Sequence, residues 1–544
     1  MQIKYLLNWI LFFLFCIPVY SQKDTTKKQT IDIISSFKPE IRNFPKLNFS
    51  AAYLIADSTK NLAPYTIPSY NLFFSYQPVS LKPLALTIDS VLQLGTRNYL
   101  KLGYGNLSSP FAAANLNFGN GINSLFNLSA NYFSAKGAIQ HQEYSEFKSK
   151  FSGSYFTPSN EVFGNLGLTI QDNYLYGYDH SLYNYKKQDL LQNFNDFNAS
   201  IGIRNKVVND WGINYSPFIQ FTFFDNYLKL KENSFKFDIP VEKSLSEIYS
   251  IKLSVKADIN SYTSKNSIDN IQFNNTLFQL SPEFIFKNNL YSLHGGLNPS
   301  WDDGQFVLLP NFYGQGILNN FPLLLQAGYT GQLISNSFRN LSLFNPYLSP
   351  LLRQQNTREK ELYVGFKSSS GSHISFSAKF SYLQYNNLPL FINDTASDYK
   401  SFLINAASEI SNFRIHADVS YLSSDQFTLS SGITYNGYQD LKNNQKPWGI
   451  IPFEWINSIR WQASNKILVK SASKFFTGAP FVLKNNVEKS LSNGFDLSVG
   501  AEYSINKRFS AWIDVNNILN NKYARWYNYQ VYGINLLGGF IIKI

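Results

Sequence analysis

The sequence carries five histidines, His141, His180, His294, His373 and His416, and none stands in an H-E-x-x-H or comparable metal-ligand spacing. No serine sits in a nucleophile motif and no glycine-rich phosphate loop occurs, so no catalytic residue, metal or cofactor is expected. The charged groups are informative through their spacing. Lys252, Lys256 and Asp258 in "YSIKLSVKADI", Arg414, His416 and Asp418 in "FRIHADVSY", and Asp496 and Glu502 in "GFDLSVGAEYS" stand an even number of residues apart against apolar neighbours. Side chains two apart share one face of a strand. Such groups would line a polar passage, and for the Arg414, His416 and Asp418 trio a hydrogen-bonded wall is the plainer reading. A separate cluster, "YARWYNYQVYG", brings Tyr523, Trp526, Tyr527, Tyr529 and Tyr532 together as either an interfacial anchor or a stacking patch in a loop.

These residues need long strands to position them. In "GFDLSVGAEYSIN" Phe495, Leu497, Val499, Ala501, Tyr503 and Ile505 oppose Asp496, Ser498, Gly500, Glu502 and Ser504, and "HISFSAKFSY" repeats the pattern. Twelve residues at ~3.3 Å each, tilted near 45°, cross about 28 Å, the apolar thickness of a bilayer. Aromatics are 17% and charged residues only 15% of the chain, a composition that fits strands with one face in lipid and one in water. A charge on the lipid face near the midplane costs roughly 2 to 4 kcal/mol, which enforces the alternation. Globular strands are shorter, and no propeller or solenoid repeat is visible. The expected fold class is therefore all-β: a transmembrane antiparallel β-barrel of about 18 to 22 strands over residues 98–544. Tyr183 to Gln192, Lys231 to Lys243, Leu441 to Gly449 and Leu519 to Tyr532 are expected as outer connections, and "INKR" and "SNK" as periplasmic turns. The stretch 401–423 reads as one strand or as two with a turn at Asn412.

Residues 1–21, with Lys4 and the apolar Leu6 to Ile17, are expected to be a signal peptide. Cys16, the only cysteine, lies within it, so no disulfide framework is expected. Residues 22–97 hold Pro39, Pro45, Pro64, Pro68, Pro78 and Pro83, which oppose regular structure and suggest a periplasmic or lumen-entering segment. The net charge of +11 answers anionic lipid headgroups better than nucleic acid, so outer-membrane lipids are the expected partners and nucleic acid is not.

The last residues, "INLLGGFIIKI", end the chain on an apolar strand. In a closed barrel the last strand pairs with the first, leaving Leu536, Gly538, Phe540, Ile542 and Ile544 toward lipid and Lys543 toward the lumen. "FSAWIDVNNILNNKYARWYNY", followed by that strand, resembles the carboxyl end of TonB-dependent outer-membrane receptors, and "NPYLSPLLRQQNTREKELYVGF" resembles their N-P-x-L-x-P-E loop and following strand, with Leu351 in place of Glu. The texture also resembles barrels of the Bacteroidota. The resemblance implies an outer-membrane barrel, insertion by the outer-membrane assembly machinery and solute transport or gated passage. Between residues 22 and 97 there is too little chain for the family's plug and no TonB box, so direct TonB contact is not expected. The alternative is a structural or accessory subunit that binds a surface lipoprotein or another member of a larger outer-membrane complex; an enzyme ranks below both.

Overall fold

The computed structural model describes residues 98–544, apart from 121, 208, 227–229, 266–269, 319–322, 371–372, 424–425 and 440–445. The expected signal peptide 1–21 and the proline-rich segment 22–97 lie outside the described residues. From Tyr99–Gly105 to Asn535–Lys543 the chain forms one antiparallel sheet of consecutive hairpins. Its twenty-three segments are twenty-two strands, because Ile213–Tyr215 and Phe218–Asn226 both pair with Leu230–Ser244 and are one strand interrupted at Ser216 and Pro217. Proline has no N–H to give the ladder, and the break falls there. The first and last strands pair from Tyr99↔Lys543 to Gly105↔Leu537, which closes the sheet into a transmembrane barrel and removes both edges.

Alternation sets which side chain faces where. On Tyr249–Lys265 the outward Ile251, Leu253 and Ile259 are exposed and apolar, while Ser254, Asn260 and Tyr262 on the other face are buried within the barrel. The same exposed apolar side chains recur round the wall, for example Phe284, Leu308, Val364, Phe413, Ile459 and Ile513. An apolar belt of this extent requires hydrocarbon around it.

The seam is closed by a side chain lying across glycines. Trp512 pairs with Gly539, which pairs in turn with Gly103, so the three stand in a row on the inner face. The indole lies over Gly103, where a Cβ would come within 2.3 Å of it, and its Nε1 donates to the Leu102 carbonyl at 3.1 Å. Lys101 stands 3.8 Å over the same ring and 3.4 Å from Asp514.

The connections at the two ends of the barrel differ. Those at 175–190, 335–356, 387–409, 446–452, 477–493 and 517–534 all lie at one end, whereas the other end has short turns such as 157–159 and 505–508 together with the paired residues Asn98 and Ile544. Two expectations are corrected. Lys231 to Lys243 is strand, not loop, since Phe235, Phe237, Ile239 and Val241 form its outward face while Lys236 and Asp238 meet charges on the next strand. In 401–423 the strands are Phe402–Ala407 and Ile410–Ser423, so the break comes before Asn412, which is within the second strand.

Candidate functional site

The inner wall carries the charged residues in matched pairs. Lys256 is 3.4 Å from Asp238, and Asp258 is 2.9 Å from Lys236. Lys252 is set by register between Glu242 and Glu283. Arg414 donates from Nε to Asn436 at 2.9 Å and from Nη2 to the Tyr385 hydroxyl at 3.0 Å. His416 lies 2.8 Å from Asp418 and 2.9 Å from the Thr434 hydroxyl. Glu502 pairs with Lys470 at 2.6 Å, and the buried Asp496 accepts from Tyr523 at 2.8 Å. All eight residues stand on inner faces, but on the ninth, sixteenth and twentieth strands, so they do not converge on one centre. On the last strand Leu536, Phe540 and Ile544 are exposed, while Leu537 and Ile541 turn inward against Trp512.

At the loop end four connections fold over the lumen and share one hydrophobic core. They follow the fifth, thirteenth, fifteenth and twenty-first strands, so contacts between the first of them and the next two cross the mouth of the ring. Tyr176 from 175–190 meets Tyr347 and Tyr529, whose rings stack on each other with centroids 3.5 Å apart. Trp526 packs among Phe344, Phe391 and Phe402 at 5.2 to 5.6 Å. Inward residues Phe194, Phe224, Leu230, Tyr262 and Phe476 join the core from the wall. Trp526 is 1% and Tyr529 0% exposed, and Tyr523 and Tyr532 are also buried; only Tyr527 is partly open, stacked on Phe481. The five aromatics are thus in a loop, but they form neither a headgroup girdle nor an open stacking patch, because burying them against the other loops and, for Tyr532, against the wall removes far more apolar surface from water. Burial also pushes the phenols of Tyr347, Tyr529 and Tyr532 well up, so they stay protonated, and that of Tyr529 donates to the Lys400 carbonyl.

Polar anchors hold the cap to the wall, and these had no signature in the sequence. The short helix Phe338–Phe344 is capped by Ser337, and its first N–H groups, those of Phe338 and Arg339, donate to the buried carboxylate of Glu232 at 2.7 and 3.3 Å. Arg339 grips Asp196 with two parallel bonds of 2.8 and 2.7 Å. Arg339→Ala should cost the cap ~1.5–3 kcal/mol, the range for hydrogen bonds to charged groups. The check is loss of amide-exchange protection over 335–356 with the barrel strands unchanged.

Both family-like motifs have structural roles here. Asn517, at φ 49°, donates to the carbonyls of Asn521 and Tyr532 and accepts from the Asn521 N–H, which clamps the base of 517–534. Leu351, where the family has Glu, is buried in the cap core, and its N–H donates to the Tyr262 hydroxyl at 3.1 Å.

Across the mouth the Tyr185 hydroxyl donates to Asp398. That bond holds the phenol up at about 12 and the carboxyl below the usual carboxylate range. A depressed folded pKa means that the contribution is present above the unfolded value, ~3.9, and is lost as pH falls through the lower folded value. Amide exchange at 395–401, corrected for intrinsic rate, should therefore rise as pH drops below about 4, and Asp398→Asn should flatten that response.

Among the described residues no group of His, Cys, Asp and Glu is placed to hold a metal ion. No protein-family model matches the chain, and no curated protein matches it. Solved structures do. FpvA of P. aeruginosa bound to pyoverdines matches at 11% identity over 82% of this chain and 71% of that one, with TM-score 0.62. The FrpB iron transporter of Neisseria meningitidis matches at 12% over 82% and 82%, TM-score 0.62, and the siderophore receptor PirA of Acinetobacter baumannii at 8% over 82% and 80%, TM-score 0.63. These neighbours are receptors and transporters, not enzymes, and what this chain has in common with them is the fold of a large outer-membrane-receptor barrel.

Proposed function

We propose that the chain is an outer-membrane barrel related to TonB-dependent receptors that mediates gated passage of a solute, with its own loops as the outer gate and without the family's plug. The carrying observation is the pairing of a polar inner wall with a mouth closed by four connections of the barrel itself. Long connections at one end and short turns at the other support an orientation with the cap outside the cell and residue 98 at the periplasmic face. Without a filling, a ring of twenty-two strands leaves an aqueous lumen. Such a cap is also suited to a folded platform for a surface lipoprotein, which is the second reading, favoured by how completely Trp526 and Tyr529 are buried.

Planar-bilayer recording of the full chain distinguishes them. Passage predicts a closed baseline broken by voltage-driven openings. A barrel that never conducts, and that co-purifies with a stoichiometric surface protein, supports the platform and ends the passage reading. A wide, permanently open pore contradicts a closed gate.

A further inference from the structure

We propose that Ser292, His294 and Glu283 form a nucleophilic centre on the inner wall that hydrolyses acyl esters with a small apolar acyl group; the proposal stands beside the passage reading and does not rest on it. Ser292 and His294 are two apart on Tyr291–Asp302, so both face inward, and Glu283 comes from the adjoining strand Asn270–Lys287. Ser292 Oγ is 2.8 Å from His294 Nε2, and His294 Nδ1 is 2.5 Å from Glu283 Oε1. A carboxylate only accepts, so it draws the ring proton to Nδ1 and leaves Nε2 free to accept from the serine hydroxyl. That is the tautomer a general base needs.

The supporting residues fix this geometry. The imidazole stacks on Tyr313 with centroids 4.2 Å apart and an angle of 11°. Glu283 also accepts from the Tyr313 hydroxyl at 3.0 Å and from Asn311 at 3.3 Å, and Lys252 stands opposite it in register. On either side of Ser292 the register places Lys287 and Gln315, an ammonium and an amide that can meet a developing oxyanion. All of these but Glu283, Asn311, Tyr313 and Lys252 line a cavity of about 830 Å³ near the turn end, whose apolar lining includes Ile285, Leu290, Ile317 and Leu324. An acyl chain fits against those four with its ester carbonyl beside Ser292.

In the reaction Ser292 Oγ attacks the carbonyl carbon as its proton passes to His294 Nε2. Collapse of the tetrahedral adduct breaks the ester C–O bond, and the imidazolium gives the proton to the departing alcohol. Lumen water, deprotonated by Nε2, then attacks the acyl-serine and releases the acid, returning the proton to Oγ. Ester and water become acid and alcohol with no redox change. Glu283 acts as a positioning residue. Transporter neighbours do not bear on this, because a fold does not fix chemistry.

The test treats the full chain in detergent with an alkyl fluorophosphonate and maps the modified peptide. The expected result is phosphonylation of Ser292, abolished by Ser292→Ala and slowed ~100-fold or more by His294→Gln and by Glu283→Gln, with folded-barrel gel mobility retained. Hydrolysis of p-nitrophenyl butyrate should fall in parallel. Absence of phosphonate on Ser292 overturns the proposal, and Ser292→Cys says why: reaction with a small methanethiosulfonate means a reachable serine that makes a structural hydrogen bond only, and no reaction means a closed site.

Discussion

Replacing the hairpin 388–407 by a short glycine-serine link should turn a closed barrel into a steadily conducting one, with mean conductance up by about tenfold or more. The hairpin's strands, Leu388–Asn393 and Phe402–Ala407, supply Phe391 and Phe402 to the cap core and Leu388, Leu390 and Ala407 to the cluster beside it. Its removal leaves Trp526 without two of its three aromatic neighbours and Tyr529 without the Lys400 carbonyl to which it donates. A cap core with that much missing cannot exclude water. The twenty-two-strand wall does not include this hairpin, so the barrel should still fold. Trp526→Ala is the milder form of the same change: a fully buried Trp replaced by Ala costs ~3–5 kcal/mol, all of it in the cap. Planar-bilayer recordings of both variants against the parent chain provide the check. If the hairpin-free barrel stays silent, its loops are not what closes it.

Gly539→Val should abolish barrel closure. A Cβ there would lie 1.9 Å from the Leu102 carbonyl oxygen and 2.6 Å from the Gly103 Cα, and neither backbone atom can move without losing the seam register. Overpacking of flexible side chains costs ~1–3 kcal/mol, and a backbone clash in the pairing that closes the ring exceeds that. The readout is the compact band that a folded barrel gives on unheated gels, which should be absent. Trp512→Ala makes the contrast, since it removes the indole that covers Gly539 and Gly103 but adds no clash; it should lower stability by ~3–5 kcal/mol and still give the compact band. A normal compact band for Gly539→Val would show that the seam is not closed in this register.

What could be read from the chain and what could not divide along a physical line. Alternation is local, because a lipid-facing Leu253 beside an inward Ser254 is a constraint each strand obeys by itself, so the barrel was legible. The expected range of strands includes the observed twenty-two at its upper limit. The stretch at Lys231 to Lys243 misled because its inner face is unusually charged, and those charges make sense only beside Asp258 and Lys256 of the next strand. Outer connections at 183–192 and 519–532 were legible, but the cap that they build with 335–356 and 387–409 was not. Its contacts, Tyr176 with Tyr529 or Arg339 with Asp196, join residues more than a hundred positions apart, and aromatic loops have the same composition whether they sit in a headgroup layer or in a core. Ser292, His294 and Glu283 were invisible for a related reason: strand register, not spacing along the chain, brings them together.

The most direct test of the fold's central premise is single-cysteine scanning of Tyr249–Lys265 in proteoliposomes, carried out in a Cys16→Ser background. Cysteines at Lys252, Lys256 and Asp258 should react with a small water-soluble thiol reagent once the cap hairpin is removed. A fluorophore attached in detergent at Ile251, Leu253 or Ile259 should be quenched by lipids brominated on their acyl chains. Reactivity that fails to alternate, or acyl-chain quenching at the charged positions, would contradict a wall with hydrocarbon on one side and water on the other.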